Sequence, residues 1–188
     1  MEQNVDIAIT VATPADRERI VGSLVAAFPA DPVLRHLFPD DETYPRYAAA
    51  FFGHLFDRRV GRGTIWTVDG VSAAIWEPPA GGSGDGSLAD ELPPEVYARV
   101  EAYDDAVHGA LPDPPYWYLG LLGTHPEHAG RRLGRAVMAE GLARAAAEGV
   151  PAVLETSNPG NVEVYRRAGW EVVATVEHGP LTIWVMSQ

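Results

Sequence analysis

The chain has 188 residues, 46% hydrophobic and 21% charged, which suits a soluble globular protein of one domain with a real hydrophobic core. It contains no cysteine, which excludes disulfides, thiolate metal sites and a cysteine acyl-enzyme. Its formal charge of −12 repels a polyanion such as DNA or tRNA from the average surface and attracts a cationic amine, although acidity also serves solubility.

No apolar run reaches the length of a membrane helix, and MEQNVDIAIT has neither the basic nor the apolar region of a secretion signal, so a cytoplasmic enzyme is expected. The 14 basic residues are all arginine, and Arg131, Arg132 and Arg135 cluster within this acidic chain.

Residues 5–12 (VDIAITVA) alternate and are β-branched, predicting a first strand. Thr13-Pro14 has the form of an N-cap with proline at the first helical position. It opens a helix over 14–28 with Ile20, Leu24, Val25 and Phe28 on one face. Pro29, Pro32 and Pro39 break the next stretch into a turn and a short helix, PVLRHLF, and a second long helix spans 43–60. The runs 64–68 and 71–77 flank Asp69-Gly70, the strongest short signal for a hairpin. Residues 78–87 (PPAGGSGDGS) are a loop too short for an interdomain linker, and 93–110 read as a helix ended by Pro112, Pro114 and Pro115.

The second half starts with an aromatic and aliphatic strand, 116–124 (YWYLGLLGT), with Tyr116 and Tyr118 on one face and Trp117 on the other. An Ala-rich helix follows over 132–148, offering Leu133, Ala136, Val137, Leu142 and Ala146 for packing. Then come a buried strand at 151–156, a helix at 160–168 closed by Gly169, and strands at 170–176 and 181–186. There is no internal repeat.

The chemistry concentrates where strand 116–124 runs through His125-Pro126-Glu127-His128-Ala129 into Gly130-Arg131-Arg132-Leu133-Gly134-Arg135-Ala136 and a helix. A basic, glycine-containing turn at a helix N-terminus can aim several backbone N–H groups at an anion, with arginine forks adding charge. A pyrophosphate suits it; so does the plainer reading of a βα turn with surface arginines. The segment lacks the GK[ST] end of a P-loop and the spacing of the dinucleotide fingerprint. No HxxxH or HExxH occurs, so no metal site is expected.

PEHAGRRLGRAVM resembles the acyl-CoA pyrophosphate loop of the GNAT N-acetyltransferases, which usually reads Gln/Arg-x-x-Gly-x-Gly/Ala after a strand and a Pro. Ala129 stands at the first position and Arg132 at the middle glycine. An arginine is compatible with that position if its dihedrals are helical. LETSNPGNVEVYRRAGWEV (154–172) resembles the family's strand, splayed loop and helix with its Tyr-x-x-x-Gly-Phe/Trp ending. ITVATPADRERIVGSLVAAF resembles its first strand and helix. The AAF-x-x-x-P-x-x-RH run at 26–36, IWEPP at 75–79 and LETS at 154–157 are most similar to the puromycin N-acetyltransferase branch.

The resemblance implies an α/β fold, a mixed and mostly antiparallel central sheet of about seven strands flanked by helices, over a single domain 1–188. It implies acetyl-CoA as donor, a small-molecule amine as acceptor, direct transfer in a ternary complex, and a monomer or homodimer without nucleic-acid or membrane partners. Leu122, Gly123 and Thr124 would pair with the pantetheine arm in a gap where strands 116–124 and 151–156 splay, near Thr124 and Ser157. Gly130, Arg131, Arg132, Leu133, Gly134 and Arg135 would hold the pyrophosphate. Asn158 and Asn161 would contact the donor, unless one simply caps the helix. Tyr165 would protonate the leaving thiolate.

The base is open. The 116–125 stretch has no carboxylate. Glu155 is the first candidate, with His125, His54, Glu77 or a water wire as alternatives. Asp31, His36 and Trp76 are candidate lining residues of the acceptor pocket. A protein N-terminal acetyltransferase and a non-catalytic CoA-binding module are the competing functions.

Overall fold

The computed structural model describes residues 7–81 and 87–188. In chain order its elements are β1 (Thr10–Val11), α1 (Arg17–Ala27), α2 (Pro32–Leu37), α3 (Tyr44–Val60), β2 (Ile65–Val68), β3 (Ser72–Glu77), α4 (Pro94–His108), β4 (Trp117–Thr124), α5 (Leu133–Glu148), β5 (Ala152–Thr156), α6 (Pro159–Arg167), β6 (Glu171–His178) and β7 (Leu181–Ser187). The strands form one seven-stranded sheet in the order β1-β2-β3-β4-β5-β7-β6. Every neighbouring pair is antiparallel except β4 and β5. This is the mixed, mostly antiparallel α/β sheet the resemblance implies.

Local chemistry accounts for most element ends. Asp69 (φ 48) and Gly70 (φ 67) both take positive φ, as a two-residue hairpin turn between β2 and β3 requires. Asp31 caps α2, accepting from the N–H groups of Val33 and Leu34. The first strand is shorter than predicted. Only Thr10 and Val11 pair with β2, and residues 5 and 6 lie outside the described residues. The helix predicted over 14–28 opens with a 3-10 turn at Pro14–Asp16, because the Asp16 carboxylate accepts from both the N–H and the hydroxyl of Thr13 and tightens that turn. The loop predicted over 78–87 lies partly outside the described residues.

Both faces of the sheet are covered, so β2 is buried along its whole length while the edge strand β6 alternates. On one face α1 to α4 pack Ile20, Leu24, Leu37, Phe52, Phe56 and Val100 over the sheet. On the other, α5 and α6 cover Trp66, Trp76, Trp117 and Trp170. The α5 face is Leu133, Val137, Met138, Gly141 and Ala145. Ala146, expected to pack, is exposed because the face is set one residue earlier. Gly141 permits that packing: a Cβ there would lie 2.1 Å from Trp76 Cε2. Trp76 is therefore core beneath α5 and does not line an acceptor pocket.

Candidate active site

The functional geometry originates in two irregularities of β4. Its pairing with β3 shifts register between Ile75 and Trp76, which oppose Leu121 and Leu119 and leave Gly120 as the extra residue. Before the bulge, Trp117 and Leu119 pack on the α5 side; after it, Leu121 packs on the α1–α4 side. The bulge thus reverses which residues face which layer. The second irregularity is the end of the parallel pairing with β5 at Leu119↔Leu154. The strands part from Gly120 and Glu155 onward, several residues earlier than Thr124 and Ser157, because the bulge turns β4 away from β5 there.

Beyond this vertex the backbone of β4 is left facing a gap. His125 donates its N–H to Val71 O on the β3 side at 2.7 Å. N–H direction alternates along a strand, so Gly123 points the same way while Leu122 and Thr124 point into the gap. Leu122, rather than Gly123, therefore presents its amide where an extended arm would lie. Gly123 serves packing: a Cβ there would meet Leu24 Cδ2 at 2.6 Å and Phe28 Cε2 at 2.8 Å of α1.

At the far end of the gap is the basic turn. Gly130 (φ 77) is exposed and takes a conformation that favours glycine. Arg132 departs from the expected helical dihedrals. It is left-handed (φ 62, ψ 16) as the N-cap of α5, the conformation a glycine would take at no steric cost. The first backbone bond of α5 is Ala136 N–H to Arg132 O, so the amides of Leu133, Gly134 and Arg135 precede the helical ladder. A Cβ at Gly134 would stand 3.4 Å from Thr124 Oγ1, which shows how closely the helix start approaches the end of β4. Arg131, Arg132 and Arg135 are exposed around these amides. Orphan amides, a helix N-terminus, arginines and a strand gap fit a nucleotide pyrophosphate followed by an extended amide-bearing arm.

On the α3–α4 side of the sheet a cavity of about 660 Å³ descends to the vertex of the splay. Tyr118, Gly120 and Glu155 contribute from the sheet, Tyr116 from just before β4, Tyr97, Tyr103, Asp104 and His108 from α4, and His54 and Arg59 from α3. Glu155 is half-buried, its carboxyl enclosed by the cavity wall, and accepts a short hydrogen bond from the Tyr118 hydroxyl. Burial pushes that carboxyl up to about 7, against the opposing effect of the Tyr118 bond. Burial and the Glu155 carboxylate likewise push the Tyr118 and Tyr103 phenols well above 10.

Tyr165 of α6 packs edge-on to Trp170, ring centroids 6.0 Å apart, and is held up at about 12 by burial and by the carboxylates of Glu155 and Asp31. Asn158 caps α6, accepting from Gly160 N–H at 2.9 Å, and Asn161 follows in the first turn of that helix.

The alternative bases are placed less well. Glu77 is tied to Arg59 at 2.5 Å and Arg62 at 3.2 Å. His54 lines the cavity, held below its ordinary value by burial and then by Arg58 and Arg59. His125 lies outside the cavity lining and its Nδ1 accepts from Glu127 N–H. Of the expected acceptor-side residues, Asp31 is engaged as the α2 cap. His36 packs against His178 at 5.6 Å, away from the cavity lining. Sequence reasoning missed Tyr103, Asp104 and His108. For Asp104 and His108 the signal was present in the helical spacing of Tyr97, Val100, Glu101, Asp104 and His108 along one face of α4, and Tyr103 sits in the adjoining apolar row of Val96, Val100 and Val107. Among the described residues no cluster of His, Asp or Glu is arranged to hold a metal, and no helix is long and apolar enough to cross a membrane.

Comparison with known proteins agrees with this geometry. The C-terminal condensation domain of Ebony, solved in complex with beta-alanyl-dopamine, superposes with a TM-score of 0.71 at 12% identity, covering 96% of this chain and 97% of that one. An acetyltransferase from Corynebacterium glutamicum, described as histone acetyltransferase HPA2 and related acetyltransferase, is similar at TM-score 0.64 and 21% identity, over 96% and 94% of the two chains. Arylalkylamine N-acetyltransferase 2 from Aedes aegypti gives 0.65 at 10% identity, over 97% and 98%. The sequence profile of the acetyltransferase (GNAT) family matches residues 66–170, more than half of the chain, from within β2 to just past the end of α6. The chain belongs to the GNAT family and is an acyl-CoA-dependent N-acetyltransferase.

Proposed function

We propose that the protein transfers an acetyl group from acetyl-CoA to a primary amine of a small molecule, by direct attack within one domain over 1–188. The carrying observation is the meeting of two spaces at one vertex. The cavity from α3 and α4 and the gap between β4 and β5 both reach Glu155. A donor arm in the gap and an amine in the cavity would meet there, beside a carboxyl near neutral pKa.

In this reading Gly130, Arg131, Arg132, Leu133, Gly134 and Arg135 bind the pyrophosphate, and Leu122 and Thr124 offer backbone groups to the arm beside Gly123. The Leu122 amide donates to the carbonyl oxygen as charge develops on it. Asn158 holds the turn through its cap, leaving Asn161 as the contact residue. Glu155 takes the proton of the ammonium, since a carboxyl at about 7 is partly ionised at neutral pH and still basic enough to be useful. Tyr165, protonated throughout the physiological range, gives its proton to the departing thiolate. The chain's own chemistry supports direct transfer, because no cysteine exists to carry an acyl intermediate.

The amine class is supported by the aromatic and acidic lining of the cavity, which suits a cationic amine on a flat or apolar body. The amine-linked names of the Ebony and Aedes aegypti structures point the same way. An aminonucleoside antibiotic belongs to this class, and the resemblance at 26–36 and 154–157 to the puromycin branch supports it as a member of the test panel. The experiment is thiol release from acetyl-CoA across a panel of small amines and N-terminal peptides. Turnover with small amines and loss of about 10²-fold or more in Tyr165→Phe, with CoA affinity intact, is the expected outcome. CoA binding without thiol release on any amine would identify a binding module instead, and full activity in Tyr165→Phe would remove the acid role.

A further inference from the structure

Glu155 is the first residue of β5 beyond its pairing with β4, across from Val185 of β7. On the β4 side no backbone ladder continues, so pairing does not constrain the direction of its side chain there. Tyr118 supplies the missing constraint. It lies on the β4 row paired with Val153, two residues before the bulge, and its phenol reaches over the opening to donate to Glu155 Oε2. Tyr103, buried on α4, faces the same carboxylate from above the sheet. Two phenols on different elements thus converge on a carboxyl at the point where the cavity meets the gap.

We propose that Tyr118, seconded by Tyr103, is the positioning residue that aims Glu155 at the acceptor amine and keeps its carboxylate available at neutral pH. This rests on Glu155 acting as the base. A phenol whose own ionisation is suppressed keeps its proton to donate, and donation to the carboxylate stabilises the ionised form over the neutral acid. Burial acts in the opposite direction, so removing a donor leaves burial unopposed.

The other groups facing Glu155 set the background. Asp104 on α4 opposes its ionisation and His108 on α4 favours it. Tyr165 on α6 feels both Glu155 and Asp31 at the start of α2. Arg59 on α3, beside Tyr118, is already committed to Glu77 of β3. Tyr118 makes the short, direct hydrogen bond to the Glu155 carboxylate, and Tyr103 interacts with the same carboxylate as the weaker second donor. β4 carries no acid of its own, and a phenol on β4 steering an acid on β5 does the equivalent work.

The test measures the titration of Glu155 by carbon NMR on the full chain labelled at glutamate carboxyls, with Glu155→Gln identifying the resonance. In Tyr118→Phe the midpoint is expected to rise by about one pH unit, with a smaller rise in Tyr103→Phe. In parallel, thiol release with tyramine and the best amine of the panel is followed against pH. The acidic limb of kcat/KM should move up by the same interval, so that activity falls about tenfold at pH 6 and much less at pH 9. An unchanged midpoint in both phenylalanine variants overturns the proposal. A loss of rate equal at every pH overturns it too, since it would mean a purely structural role. Glu155→Gln with undiminished turnover would instead remove Glu155 as the base, a separate failure that the NMR midpoints do not share.

Discussion

Replacing Glu155 by glutamine should make the protein more stable as pH rises, while removing the base. In the folded chain this carboxyl titrates at about 7, against 4.5 for an ordinary glutamate. The folded state therefore holds a proton over that interval that the unfolded chain has released. The sign follows: Glu155 contributes fully below pH 4.5, and its contribution is lost as pH climbs to about 7, after which both states are ionised. At ~1.36 kcal/mol per pH unit the interval corresponds to roughly 3 kcal/mol, an upper figure because the carboxyl edges a water-accessible cavity.

Glutamine keeps the size and still accepts from the Tyr118 hydroxyl, so little else changes. Asp31 and Asp104, also raised by burial, are common to both proteins and cancel in the difference. Urea unfolding at several pH values between 4.5 and 8 should show the stability of Glu155→Gln, relative to wild type, growing by about 2–3 kcal/mol across the range. Parallel curves would refute the burial of the charge, and with it the account of why this carboxyl is basic at neutral pH.

Two further substitutions test the packing and the turn. Gly141→Ala places a methyl against Trp76, so α5 must lift or the indole must move within a fully buried cluster. A net loss of about 2 kcal/mol is expected in thermal unfolding despite the better helix propensity of alanine, and a melting temperature at or above wild type would contradict the close approach. Arg132→Gly relieves a left-handed arginine and should raise stability by up to about 1 kcal/mol, while weakening CoA binding at low salt more than at high salt. A CoA affinity equally reduced at all ionic strengths would argue that Arg132 does not act by charge.

Much of the fold was legible because its signals are local. Asp69-Gly70 marked a hairpin through the φ values those residues accept, and Thr13-Pro14 marked a helix start. The alternation of 116–124 placed Tyr118 and Trp117 on opposite faces. The glycine-and-arginine turn and the Asn161–Tyr165 spacing drew attention to the two loops that border the strand gap. The local rules faltered where a partner element intervened. Ala146 and Ala145 are indistinguishable in an Ala-rich helix until Trp76 fixes which side is buried. Only its place at the family loop's middle glycine hinted that Arg132 would adopt a glycine's conformation; the arginine itself did not.

By itself, then, the sequence determined the order and type of the elements, the charge at the start of α5 and the lack of a cysteine nucleophile, since each depends on residues within a turn or two of one another. Only the tertiary structure decided that Gly120 is a bulge that inverts the facing of β4, that β5 parts from β4 at Glu155, and that Tyr118 and Tyr103 converge on that carboxyl. These are matters of register between strands distant in the chain. A shift of one residue exchanges the two faces of a strand, and no local pattern records it.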